Sequence, residues 1–446
     1  MAAEHLFNYL SRFAIPYVVP HMVAEFGFTD AQRSAILNSF TPGYILTQIP
    51  AAPLCGKIGA KTVLSLNNIG LLSSLIALPI AAKQGARAVW FCIALMGIMQ
   101  GPFIVAQGAM TSAWSIAGPE RPVAVFIIRL GGNIAKLVAS AVTPLLCSTR
   151  WGWRSVCYVY GGVLALYCVT WNIFARNSPP PLPPSDSPST PKSDENSTEG
   201  GSPDGGKPKS KEKGKGKGGT TPREFELIGC ATKPSLAIIA IQVAHALCEF
   251  NIVGAWAPTY FTEVLGVPLN RLGFFTSVPM MLGIASKSII AAWESAMLSK
   301  GTYSQLALRK IATTVGSAIA CVSLVMFDAT RSSFIATLAY CGIVFGNSFD
   351  YSGFLPNYIE VAGNDPAGTF IAWVNTLAWA GAFVSTEIIN RLSMLSGTRS
   401  WRTLWLAPVV CRIAATAIYA AWASTRPAMD LIDEAQERRN KRKNDA

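Results

Sequence analysis

Between residues 176 and 233 the chain stops being apolar, and that break separates six hydrophobic segments from six more. A hydrocarbon core of about 30 Å takes roughly 20 apolar residues of helix, and each segment has about that length. The segments fall at 5–23, 34–55, 62–82, 88–110, 122–147 and 155–175 before the break, and at 234–257, 272–297, 305–327, 332–355, 367–390 and 402–424 after it. Stretches such as Leu71 to Ala82 and Val89 to Met99 are apolar on every face, unlike the amphipathic helices of a large soluble protein. The expected fold class is an all-α membrane protein, with twelve transmembrane helices in two pseudo-symmetric six-helix bundles. The expected divisions are an N-terminal half at 1–175, a disordered cytoplasmic linker at 176–233, a C-terminal half at 234–425 and a basic cytoplasmic tail at 426–446.

The net charge of +12 does not call for nucleic acid. With both termini and the linker placed in the cytoplasm, the inner loops hold 22 Lys/Arg and the outer loops 10, the asymmetry of the positive-inside rule, carried mostly by linker and tail. The implied partners are membrane lipid and a small solute; oligomeric state is not legible. The ten cysteines form no C-x-x-C pair and the three histidines are scattered, so neither a metal site nor a disulfide framework is expected. No nucleophile, base and orienter stand together, so an enzyme is not expected either.

From Ser178 to Pro222 the chain has almost no apolar residue and cannot offset its ordering entropy. Within it, Gly201 to Lys207 approaches a P-loop, but Pro208 stands where a Ser or Thr must ligate magnesium. The sequon at Asn196 would stay unmodified in a cytoplasmic loop, and the lysine run suits anionic headgroups. At the start, the apolar region follows Met1 directly with no basic region before it, so no cleavable signal is expected. The first segment carries Asn8, Arg12, Pro16 and His21, so either it faces inward or residues precede Met1.

The halves echo each other. Gly152-Trp153-Arg154-Ser155 follows the fifth segment, and Ser400-Trp401-Arg402-Thr403 follows the eleventh. Phe26-Gly27-Phe28 with Arg33 is matched by Leu265-Gly266-Val267 with Arg271. Similar offsets at corresponding segments are the signature of parallel repeats.

Taken in order, Asn8-Tyr9-x-x-Arg12, Gly43-Tyr44 with Gln48-Ile49-Pro50, Pro119-Glu120-Arg121, Gly152-Trp153-Arg154, Trp256-x-Pro258-Thr259-Tyr260-Phe261, and Ser352-Gly353-Phe354 with Asn357 resemble the anion:cation symporter family of the major facilitator superfamily. That resemblance implies a rocker-switch carrier of phosphate or organic anions, driven by sodium, protons or membrane potential. The chain departs from the family pattern at Ser11, at Gly56, at Ser295 beside Glu294, and at Gly97 and Ile104, where family members carry charged residues.

A charge at a helix centre costs roughly 2.5–3.5 kcal/mol on insertion scales, so each one within a segment is a functional hypothesis. The cations are Arg12, Arg129, Lys136, Lys287 and Arg412. Arg129 and Lys136 lie two turns apart on one face, about 10 Å along the axis, a ladder suited to an anion. Lys287 and Arg412 read rather as snorkelling or paired residues. The expected substrate-binding set is Arg12, Tyr44, Arg129, Lys136, Trp256 and Asn357. His245, Glu249, Asp350 and Glu387 form the expected cation-coupling set, with His245 one turn before Glu249. Structural pairing of these acids with the cations is an equal alternative.

The expected function is a secondary active transporter of a small inorganic or organic anion, phosphate favoured, with no cofactor beyond a coupling sodium ion or proton. An organic-anion exchanger or uniporter, and a non-transporting membrane sensor or scaffold, are the alternatives. Plasma, vesicular and plastid membranes are not distinguished.

Overall fold

The protein is described from a computed structural model, in which residues 1–114, 120–177, 229–301, 303–363, 369–395 and 397–444 are described. Expectations for the linker interior, 178–228, lie outside them.

The N-terminal bundle opens with α1 (Ala2–Phe26), which ends where Gly27 takes a φ of 67° and returns its N–H to Val23. That left-handed stop is one only glycine adopts freely. The second span is three pieces, α2 (Asp30–Asn38), α3 (Phe40–Gln48) and α4 (Ala51–Ile58). Thr29 and Gln32 close a capping box at its entry, and Pro50 interrupts its far end. Then come α5 (Ala60–Gln84), α6 (Ala86–Gln100) and α7 (Phe103–Trp114), α8 (Glu120–Cys147) and α9 (Arg154–Phe174).

The C-terminal bundle repeats the plan. Its first span is α10 (Lys233–Ala246), a π-helical turn at Leu247–Asn251, and α11 (Val253–Glu263). α12 (Leu269–Ser299) and α13 (Gln305–Ala329) follow. The tenth span is α14 (Ser333–Ser348), a 3-10 turn at Phe349–Tyr351, and α15 (Phe354–Ala362). α16 (Thr369–Ser393) and α17 (Trp401–Trp422) complete the twelve spans. The tail, expected only to be basic, forms α18 (Ala428–Asn444), anchored by buried Ala428 and Ile432.

Four spans expected to be continuous are broken: the second, fourth, seventh and tenth. Breaks fall at Ser39 and Pro50 in the second span, at Pro102 in the fourth, at the π turn in the seventh and at the Ser352-Gly353 pair in the tenth, and each frees backbone groups that neighbouring helices must satisfy. Among the described residues, eight helical stretches are long and apolar enough to cross a membrane. The second and tenth spans fall short because they are fragmented, and α1 and α16 because they carry the polar side chains of the interior.

Large apolar side chains such as Phe91, Leu166, Phe274, Val322 and Phe334 point outward, which suits a lipid surround. The start of α5 meets the end of α9 through Lys61 and Asn177, at the face from which the linker leaves. The end of α1 meets the start of α9 through Glu25 and Arg154 at the opposite face. Within the N-terminal bundle α3 and α6 cross with backbones nearly touching. A Cβ on Gly43 would stand 2.1 Å from the Ala94 carbonyl oxygen, and one on Gly97 2.1 Å from that of Phe40. Small residues at such crossings are what lets membrane helices approach. Gly43→Ala and Gly97→Ala are each expected to cost about 1–3 kcal/mol, less than additively when combined. Gly162→Ala, whose Cβ meets open space, is expected to leave the thermal midpoint of the detergent-purified protein unchanged or raised.

Candidate functional site

The breaks in the seventh and tenth spans bring their acids inward. At the π turn, the N–H of Ile252 bonds the carbonyl of Leu247 at 3.1 Å, and the extra residue turns Glu249 and Phe250 toward the other bundle. π turns of this kind recur at functional positions. In the tenth span, the 3-10 turn and the non-helical Gly353 place Asp350 in the bundle interior.

A continuous line of charge results. Lys136 of α8 pairs with Glu249 across the gap between the halves. The second oxygen of Glu249 lies 2.8 Å from His245 Nε2, and His245 Nδ1 lies 2.7 Å from Asp350 Oδ2. Arg412 Nη2 donates to both Asp350 oxygens at 2.8 Å, and Arg412 Nε donates to Ser317 Oγ at 2.8 Å. Asp350 and Arg412 are wholly buried and His245 is 8% exposed.

Both imidazole nitrogens of His245 therefore face carboxylate oxygens. A neutral ring has one N–H and one lone pair, so one of these contacts would set a lone pair against an anion. The arrangement is satisfied when a proton is held on the imidazole or on one of the carboxyls. With the imidazole charged, three cations alternate with two anions; without that proton the five groups sum to zero.

Arg12 is arranged differently. Its guanidinium carbon lies 4.1 Å from the Phe40 ring centroid, 5.0 Å from that of Trp379 and 5.1 Å from that of Phe250. Tyr44 stacks edge-on against Trp379 at 5.5 Å. Among the described residues no carboxylate pairs with Arg12, so its planar donor fork faces a small cavity of about 40 Å³. An adjoining cavity of about 50 Å³ shares Phe13 and Gly254 with it, and is lined by Lys136, Glu249, Lys287 and Asn133. On a scale where one water needs about 10–15 Å³, each holds a few waters or a small anion.

The other expected residues fall in several places. Lys287, expected to snorkel or to be paired, lines the cavity and donates to Asn133 Oδ1 at 2.7 Å. Arg129 lies on α8, but its side chain is outside the described residues, so the two-cation ladder is represented by Lys136 alone. Trp256 does not line the cavities. It lies two residues, or about 200° of helix, beyond the cavity-lining Gly254, and packs among Tyr260, Trp401 and Trp405. Asn357 is also remote: it accepts from Tyr419 at 3.0 Å and donates to the Ser424 carbonyl at 2.8 Å, tying the ends of the tenth and twelfth spans. Glu387 stands apart from the other acids and accepts from Asn38 at 2.6 Å across the halves. Sequence reasoning missed Phe40, Phe250 and Trp379, because an aromatic residue in an apolar segment carries no signal of its own. It also missed the join at the face opposite the linker, where Arg33 meets Glu263 at 2.8 Å and Arg399 meets Ser34 at 2.8 Å.

Two bundles around a charged interior site, with the polar groups at the breaks, are the architecture on which secondary transporters are built. The chain belongs to the Major Facilitator Superfamily, whose model matches residues 4–386. It is similar to "Probable anion transporter 4, chloroplastic" of Oryza sativa subsp. japonica, 25% identical over 404 residues, 89% of this chain and 63% of that one. The chain thus spans somewhat less than two thirds of that relative's length. It is likewise 25% identical to the "Ascorbate transporter, chloroplastic" of Arabidopsis thaliana, over 92% of this chain and 71% of that one. In fold it matches the crystal structure of a D-xylose-proton symporter, with a TM-score of 0.66 at 12% identity, over 95% of this chain and 98% of the other.

Removing one member of a buried ion pair strands the other, a loss of about 3–5 kcal/mol. Asp350→Asn is accordingly expected to lower the thermal midpoint sharply. The double variant Asp350→Leu/Arg412→Met is expected to recover a large part of the loss, since no charge is then left alone.

Proposed function

We propose that the chain is a carrier for a small anion, with inorganic phosphate the leading substrate, and that a proton travels with it. The observation that carries this reading is the unpaired guanidinium of Arg12 between the halves, next to a lysine held by a carboxylate that itself leans on His245. An anion entering the cavities meets Arg12 first and competes with Glu249 for Lys136. Once Lys136 turns to the anion, Glu249 keeps His245 but loses its cation, and a lone charge at that depth is costly. Starting from the unprotonated line, whose five groups sum to zero, departure of Lys136 leaves one net negative charge; uptake of one proton by the Glu249–His245–Asp350 group cancels it, so anion and proton load together. Release at the other face reverses the exchange, and Lys136 returns to Glu249.

Several features support this order. Lys136 and Glu249 belong to different halves, so their pairing and parting is coupled to the rocking of one bundle on the other. The contacts of Arg33 with Glu263 and of Arg399 with Ser34 hold the halves together at the face opposite the linker. Lys/Arg asymmetry supports the linker face being cytoplasmic, and the family makes a catalytic role unnecessary. Sodium or the membrane potential are the other driving forces to be distinguished. A second reading, an organic anion, is favoured by the three aromatic rings around Arg12, which give an apolar body a surface to lie on and give phosphate nothing.

Uptake of labelled phosphate into proteoliposomes, under separate proton, sodium and voltage gradients and with a panel of carboxylates as competitors, tests the proposal. A proton gradient is expected to drive uptake. Arg12→Ala, which removes charge-assisted hydrogen bonds of about 1.5–3 kcal/mol each, is expected to raise the half-saturating concentration at least tenfold. Arg12→Lys is expected to recover only part, having lost the fork. Competition by carboxylates with no phosphate movement would give the second reading. Folded protein that neither moves nor binds any anion would defeat both.

A further inference from the structure

The N-terminal bundle holds a buried carboxylate that the central line does not use. Glu4, in the first turn of α1, is wholly buried, together with Asn8 of the same helix and Asn67 and Asn68 of α5. Glu4 Oε2 accepts from Asn68 Nδ2 at 3.0 Å and from the Tyr167 hydroxyl at 2.7 Å. Among the described residues its other oxygen, Oε1, meets no donor.

The orientation of the neighbouring amides is fixed from a backbone anchor. Asn8 Nδ2 donates to the Glu4 carbonyl at 3.1 Å, which turns Asn8 Oδ1 to accept from Asn67 Nδ2 at 3.1 Å. Asn67 Nδ2 also reaches Asn68 Oδ1 at 3.4 Å. Asn67 Oδ1 is thereby left pointing away from both, and it too meets no donor. Asn68 links the two residues, since it accepts from Asn67 and donates to Glu4. Two acceptors, each on a side chain at most 1% exposed, thus stand in one polar cluster with no donor among the described residues. A buried acceptor without a partner costs about 1–3 kcal/mol, a cost that a proton or a cation bound in this cluster relieves.

We propose that Glu4 and Asn67 form a second cation site, in the N-terminal half, taking a proton or a sodium ion. The site is tied to anion binding by α1 itself. Residues 4, 8 and 12 follow the i, i+4 spacing of one helix face, so Glu4 lies two turns, about 12 Å, from Arg12 along the axis. Gln100 Nε2 of α6 donates to the Asn8 carbonyl at 2.7 Å between them. A change of charge at Glu4 alters how α1 sits against α5 and α6, and with it the setting of Arg12. The titratable groups that face Glu4 are the α-amino group of Met1 and Tyr167 and Cys168 of α9, with His5 next to it in sequence.

The test uses the full chain in detergent, with two readouts: thermal midpoint as sodium replaces choline at constant ionic strength, and the infrared carbonyl band of a neutral carboxylic acid. A midpoint raised by sodium identifies a sodium site; a neutral-acid band without a sodium effect identifies a proton site. Either signal is expected to vanish in Glu4→Gln, whose amide matches a protonated carboxyl in shape, and to persist in Glu249→Gln. If Glu4→Gln does not fold, Asn67→Ala replaces it, and is expected to raise half-saturating sodium at least tenfold or to shift the band. Neither signal in the wild type, persistence of the signal in the Glu4 and Asn67 variants, or its loss in Glu249→Gln alone would overturn the proposal.

Discussion

A histidine held between two carboxylates cannot satisfy both with one hydrogen, and the interior of this protein is built around that fact. His245 reaches Glu249 and Asp350 at 2.8 and 2.7 Å with its two ring nitrogens. Because the acids are anchored by Lys136 on one side and Arg412 on the other, neither can easily turn away. Arg412 and Asp350 form the rigid end, wholly buried in the C-terminal bundle. Lys136 is the movable end, since it belongs to the other half and borders the cavity. In the proposed cycle, a line of charge with one fixed and one loose end converts a competition for the loose end into a demand for a proton.

The fold supplies this arrangement through its irregular positions. A straight seventh span would not place Glu249 beside Lys136; the five-residue π turn does so by adding one residue to the helical register. Asp350 reaches His245 from a 3-10 turn that the glycine at 353 allows to end. The regular helices serve as walls, packed at the crossing of α3 and α6 closely enough that Gly43 and Gly97 leave no room for a methyl group. Irregular backbone within a bilayer is tolerated where protein or a cavity satisfies it, and that is where these breaks lie.

Much of the architecture is legible in the sequence because twelve apolar runs and one polar break admit few alternatives. The intramembrane charges were legible for the same reason: Arg12, Lys136, Glu249 and Asp350 are too costly to be incidental. The pairing of Glu249 with His245 was legible from its one-turn spacing, but the partner of Asp350 was not. Nothing in the spacing links Asp350 to Arg412, 62 residues away, and an offset that large is fixed only by packing. Trp256 and Asn357 carry conspicuous motifs yet pack at the ends of the spans, because a motif records neighbours in sequence while the cavity is set by which side of the helix faces the gap. Glu4 escaped notice for the opposite reason: at residue 4 it reads as an ordinary helix-end acid, and only the amides of α5 show that it is buried.

The central claim is that Glu249 and His245 couple anion movement to a proton. Glu249→Gln separates coupling from transport, since the amide keeps the shape but cannot gain or lose the charge. The decisive measurement compares counterflow exchange of the transported anion with uphill accumulation under a proton gradient, in the wild type and in this variant. The account predicts that exchange survives while gradient-driven accumulation disappears. Accumulation that persists unchanged in Glu249→Gln would contradict it and move the driving ion to another site.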